Sequence, residues 1–153
     1  MHFITLNEHH THLIEQITHT LHTEWHELKS WSDLDNIRQR LITRITAPSP
    51  QTVACFIDDK EQLLATASII LNELIGIKDS KWWIGEIVTV PSARGKGIGS
   101  QLIEQLYHKF KQHTDECLYL YTPDMQALYR RMGWRDVQQT IANNEQVTVM
   151  KRG

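Results

Sequence analysis

Cysteine is nearly absent from this chain: there are 2 in 153 residues, Cys55 and Cys117, each inside its own hydrophobic run and neither in a CxxC pair. That excludes a disulfide scaffold and a zinc ribbon. An excess of either charge is also missing. Sixteen Lys+Arg stand against 18 Asp+Glu, for a net charge of -2, so no strongly basic face for nucleic acid and no polybasic membrane anchor is expected. No long apolar run occurs: Leu63 to Leu71, broken by Thr66 and Ser68, is roughly half a bilayer span. The N-terminal Met1 to Glu8 turns polar before a signal-peptide core develops. What is present, 41% hydrophobic residues over this length, suffices for one core. The expectation is a single domain over residues 1–153, reduced and cytoplasmic, without nucleic-acid or membrane partners.

Periodicity divides the chain into a helical first third and a mixed remainder. Phe3 to Leu6 reads as a short strand, and Asn7 as the N-cap of a helix carrying Leu13, Ile14, Ile17 and Leu21. Ser32 reads as a second helix start, with Leu34, Ile37, Leu41 and Ile45 on one face until Pro48 and Pro50. Val53 to Ile57 and Leu63 to Leu71 flank the polar turn Asp58 to Glu61 as an antiparallel hairpin. Trp82 to Val90 is a third strand, ended by Pro91. Helical spacing returns at Ile98 with Leu102, Leu106 and Phe110; then come a strand at Leu118 to Tyr121, a short helix over Pro123 to Met132, and a closing hairpin about Asn143-Asn144.

Between the third strand and the next helix lies Arg94-Gly95-Lys96-Gly97-Ile98-Gly99. Glycines there allow close backbone approach to an anion, and the helix N-terminus and two cations stabilise negative charge, so a phosphate-bearing ligand is expected. A Walker A loop would need glycine at Val90 and Ser or Thr at Gly97. A dinucleotide fingerprint would need glycine at Ser100, and an acid after the strand that ends at Thr122. Both fail on residues.

Arg94 to Gly99 after Ile87-Val88-Thr89-Val90-Pro91, followed by Leu118 to Thr122 and then Tyr129-Arg130-Arg131-Met132-Gly133-Trp134, resembles the GNAT superfamily of N-acetyltransferases. The first segment is similar to its R/Q-x-x-G-x-G/A acyl-CoA loop, and the last to its Tyr-x-x-x-Gly-aromatic helix end. The resemblance implies an α/β (α+β) fold: a mixed, mostly antiparallel sheet with helices on both faces and a splay between the fourth and fifth strands, near a bulge at Val88 to Val90. It implies that acetyl-CoA, as co-substrate and without a metal, lies in that splay. Its pantetheine would run beside Val88, Thr89, Val90, Thr122 and Tyr129. Its pyrophosphate would rest on Arg94, Gly95, Lys96, Gly97, Ile98, Gly99 and Ser100. Thr122 stands where many members carry Asn, and Met125 where a small residue is usual.

The implied reaction is direct acetyl transfer to an amine in a ternary complex. Tyr129 would protonate the departing thiolate, and a backbone N–H near Val90 would face the oxyanion. Glu86 is either the base, acting through water, or a structural carboxylate; strand alternation places it with Val88 and Val90. The implied acceptor is a primary amine, either a small cation or a peptide N-terminus; Glu24, Glu27, Asp33, Asp35, Trp25 and Trp31 read either as an acidic, aromatic lip that meets it or as a solvated helix end with two buried tryptophans. Nine histidines, including His19, His22 and His26, show no HExxH or zinc spacing and read as a polar helix face. Two other classes stay open: a non-catalytic acyl-CoA-binding regulatory module, and an interaction domain exposing Trp25, Trp31, Trp82 and Trp83. Oligomeric state is not legible.

Overall fold

The strands form one sheet in the order β1-β2-β3-β4-β5-β7-β6, as seen in a computed structural model describing residues 1–153. They are β1 (His2–Thr5), β2 (Thr52–Ile57), β3 (Leu63–Leu71), β4 (Trp82–Thr89), β5 (Leu118–Thr122), β6 (Arg135–Ala142) and β7 (Glu145–Arg152). All neighbours are antiparallel except β4 and β5, which are parallel and joined through a helix. The helices are α1 (Thr11–Trp25), α2 (Leu34–Thr46), α3 (Ile98–Lys111) and α4 (Gln126–Arg131).

Alternation in β2 builds a core on each face of the sheet. Ala54 and Phe56 join Leu102, Leu106 and Phe110 of α3, with Tyr129 of α4, on one side. Val53, Cys55 and Ile57 join Leu13, Ile17 and Leu21 of α1 and Ile37 and Leu41 of α2 on the other. Helices therefore cover both faces, as the resemblance implies.

Helix starts differ from the sequence reading. Asn7 accepts from the His9 N–H at 2.8 Å and forms a turn, and α1 begins after His10. The α2 cap is Asp33, whose Oδ1 accepts from the Asp35 N–H at 2.8 Å; Ser32 instead closes a short 3₁₀ turn, Lys29–Trp31, which the periodicity does not reveal. The fourth helix begins three residues after Pro123, at Gln126. The last hairpin turns on Asn143 and Asn144, both at positive φ, as a two-residue turn requires.

The site is positioned by one irregularity. In the β3–β4 ladder Thr66 pairs with Val88 but Ser68 pairs with Gly85, so Glu86 and Ile87 together face Ala67. This bulge lies upstream of the expected Val88 to Val90, and Glu86 adopts φ 49° within it. Parallel pairing of β4 with β5 stops at Trp83↔Tyr119, two residues before Gly85, and beyond it the two strands part.

Candidate active site

The parted strands open into a cleft of about 910 Å³. Ile84 to Thr89 of β4 form one wall, Tyr121 to Met125 and Tyr129 the other, and Trp25 to Trp31 together with the β6–β7 turn close the ends.

At one mouth the glycine loop passes into α3. Gly95 and Gly97 have φ of 77° and 76°, where a side chain would be strained. Intrahelical bonding in α3 begins with the Gln101 N–H on the Gly97 carbonyl, so the amides of Ile98, Gly99 and Ser100 precede the first helical bond and are available to an anion. Gly99 comes so near β4 that an added Cβ would lie 2.9 Å from Thr89 Oγ1. Of the loop residues, Arg94 reaches the cleft; its Nε donates to the Thr89 carbonyl at 2.9 Å and its Nη2 to Glu24 at 3.1 Å. Lys96 is exposed at the rim. An acyl-CoA fits these residues: a positive-φ cradle for a pyrophosphate and an unpaired strand edge for an extended pantetheine.

The amides near Val90 face two ways. The Val90 N–H is used, bonded to the Leu64 carbonyl at 2.9 Å. Because successive amides of a strand point to opposite edges, the Thr89 N–H is the one turned towards the splay. Thr122 lines the cleft, but its Oγ1 accepts from the Met125 N–H at 3.0 Å and orders the entry to α4. That bond gives the hydroxyl a structural task. Tyr129 lines the cleft and packs edge-on against Trp134; burial pushes its phenol up to about 12, so it keeps its proton at neutral pH.

Glu86 also lines the cleft, with its side chain only 3% exposed. Its carboxylate is paired with Arg44, with Arg40 Nη2 at 3.4 Å and with the Trp31 indole N–H at 2.6 Å. Three donors thus take up most of the roughly four lone-pair sites of this carboxylate and anchor it to α2 and the Lys29–Trp31 turn.

A second carboxyl, absent from the sequence reading, is free. Glu73 lies in the β3–β4 loop with its carboxyl turned into the cleft, and its Oε2 is buried without a hydrogen-bond partner. Burial, reinforced by the charge of Glu86 and opposed by Arg44, raises its pKa from 4.5 to about 8. It rests on Gly85, where a Cβ would sit 2.5 Å from each carboxyl oxygen. No motif marks Glu73. The only local signal is a glycine in the middle of a strand, which suggests close approach by something else.

Six carboxyl groups line the cleft, those of Glu24, Glu27, Glu73, Glu86, Asp124 and Glu145, against the single cation Arg94. Trp25 and Trp31 lie at the same end, their rings 5.2 Å apart. Asp33 and Asp35 are elsewhere: the first caps α2 and the second pairs with Arg38 at 2.7 Å. Trp83 and Trp82 are 0% and 8% exposed, which removes half of the tryptophan patch an interaction domain would need. No group of three or more His, Cys, Asp or Glu side chains has metal-holding geometry. Burial raises the Cys55 thiol to about 12, which leaves it no nucleophile. No helix is long and apolar enough to cross a membrane.

The chain belongs to the acetyltransferase (GNAT) family, whose profile matches residues 14–134. It is accordingly an acyl-CoA-dependent N-acetyltransferase with acetyl-CoA as co-substrate. No curated protein matches it in sequence. Among solved structures it is similar to an aminoglycoside 6'-N-acetyltransferase complexed with coenzyme A, with TM-score 0.76, 16% identity, and coverage of 99% of this chain and 96% of that one. The aminoglycoside 6'-N-acetyltransferase from Enterococcus faecium matches with the same four values. The ribosomal-protein-alanine N-acetyltransferase from Brucella melitensis gives TM-score 0.73 and 17% identity, with 99% of each chain covered.

Proposed function

We propose that residues 1–153 act as one acetyltransferase domain that transfers acetyl directly to a primary amine of a small, multiply charged cation, in a ternary complex in the cytoplasm. The observation that carries this reading is the acidic cleft with a buried, unpartnered carboxyl at its centre. With Glu86 set against its arginines and Glu73 mostly protonated, Glu24, Glu27, Asp124 and Glu145 still outnumber the one cation Arg94, so the cleft attracts an ammonium compound and disfavours an acidic one. A peptide N-terminus brings one such charge, whereas a polyamine or aminoglycoside brings several. Similarity to both an aminoglycoside and a protein acetyltransferase keeps both in the test.

Acetyl-CoA supplies the acyl group as a thioester. Arg94 to Ser100 bind its pyrophosphate, and the open edge of Val88 to Val90, with Thr122 opposite, guides its pantetheine. Glu73 is the base: it accepts the proton that the ammonium must lose before its nitrogen is nucleophilic. The Thr89 N–H stabilises charge that develops on the carbonyl oxygen. Tyr129 donates its proton to the departing sulfur, and the second proton shed by nitrogen restores the phenol. Glu86 acts behind Glu73, its negative charge keeping the neighbouring carboxyl basic. The free thiols Cys55 and Cys117 suit a reducing compartment.

The test is thiol release from acetyl-CoA against polyamines, aminoglycosides, amino acids and Ala-initiated peptides. Multiply charged amines should give the highest kcat/KM, with a steep fall as salt rises. Preference for a neutral or acidic acceptor would overturn the assignment of acceptor class.

A further inference from the structure

A second large concavity, of about 800 Å³, is separated from the cleft by the contacts of Arg40 and Arg44 with Glu86. Its charge is the reverse of the cleft's. Lys29, Arg40 and Arg44 line it, and no Asp or Glu does. Positions 36, 39, 40, 43 and 44 recur at helical spacing, so one face of α2 forms the wall and the Lys29–Trp31 turn forms the rim.

Glu86 does not exhaust these cations. A guanidinium carries five N–H donors. Arg44 uses Nη1 on Glu86 and Arg40 uses Nη2 at 3.4 Å, which leaves further donors on both groups beside the concavity. Arg40 is also held by the Trp31 ring, 5.8 Å from its centroid, so its head is placed before any ligand arrives. Three cations against one carboxylate leave an excess of two positive charges in a chain whose net charge is -2. Such an excess matches a dianion, and planar guanidinium forks suit the oxygens of phosphate. Asn36, Gln39 and Gln51 add amides for its remaining oxygens.

We propose that this concavity is a binding site for a small phosphate-class oxyanion, gripped by Lys29 and Arg40 with Arg44 behind them. The site is separate from the pyrophosphate loop and does not depend on the identity of the amine acceptor.

The test is calorimetric titration of inorganic phosphate and of glycerol 3-phosphate, at constant ionic strength, into protein saturated with coenzyme A so that the glycine loop is filled. Saturable one-to-one binding is expected. Arg40→Gln should weaken it about tenfold or more and Lys29→Ala about three- to tenfold, as expected for charge-assisted contacts. Lys60→Ala, at an exposed hairpin turn, should leave it unchanged. Lys29 is exposed, so its variant keeps the test valid even if Arg40→Gln folds poorly. Non-saturable heats, or wild-type affinity in both the Lys29 and Arg40 variants, would overturn the site. Tighter binding of succinate than of either phosphate would overturn the phosphate assignment.

Discussion

Replacing Glu73 with Gln separates the proposed base from every other carboxyl in the cleft. The wild-type group, raised from 4.5 to about 8, is ionised in only about one molecule in ten at neutral pH. kcat/KM should therefore climb roughly tenfold as pH rises through about 8, because only the carboxylate can accept a proton. Glu73→Gln should remove that limb and lower kcat/KM by roughly 10²–10⁴, with coenzyme A affinity unchanged. The same shift bears on stability. Between 4.5 and about 8 the folded chain keeps a proton on Glu73 that the unfolded chain has released, so the contribution is complete below the unfolded value and is lost as pH rises through the folded one. At about 1.4 kcal/mol per tenfold step in proton affinity, the loss is of the order of a few kcal/mol. The Gln variant never ionises there, so its stability measured by urea unfolding should stay level over that interval while the wild type declines. A Gln variant that retains the pH limb at the same midpoint would refute Glu73 as base, and parallel stability curves would refute its raised pKa.

Four further outcomes follow from the same geometry. Gly85→Ala should place a methyl 2.5 Å from both Glu73 oxygens and displace a flexible side-chain end rather than backbone, cutting activity much as Glu73→Gln does; strict additivity in the double variant would break the link. Glu86→Gln should lower stability by about 3–5 kcal/mol by leaving Arg44 unpaired, and should move the Glu73 limb to lower pH; an unaltered Tm and limb would assign Glu86 neither task. Tyr129→Phe should reduce kcat by roughly 10²–10⁴ with folding and coenzyme A binding preserved, whereas wild-type turnover would make it a core aromatic. Gly97→Val, forced to φ near 76°, and Arg94→Ala should each weaken coenzyme A binding in calorimetry, and wild-type affinity in both would detach the cofactor from this loop.

The parts legible in the sequence are those whose causes are local. Gly95 and Gly97 announce positive φ, and Arg94 and Lys96 announce an anion; together with the following amphipathic helix they mark the proposed cofactor loop without reference to distant residues. Asn143-Asn144 declares a hairpin, and alternation in β2 declares a sheet covered on both sides. The boundaries of the helices were less legible, because Asn7 and His10, or Ser32 and Asp33, compete for the cap and the winner is set by how the chain enters each helix. The surroundings of the two glutamates were decided only by tertiary structure. On its strand Glu86 reads as a carboxyl facing the cleft, but the bulge and α2 bring Arg40 and Arg44 onto it. Glu73 reads as one more polar residue in a loop, until the missing side chain of Gly85 and the parting of β4 from β5 admit its carboxyl to a buried place. Proton affinity depends on solvent and on neighbouring charge, and both are set by residues far apart in the chain.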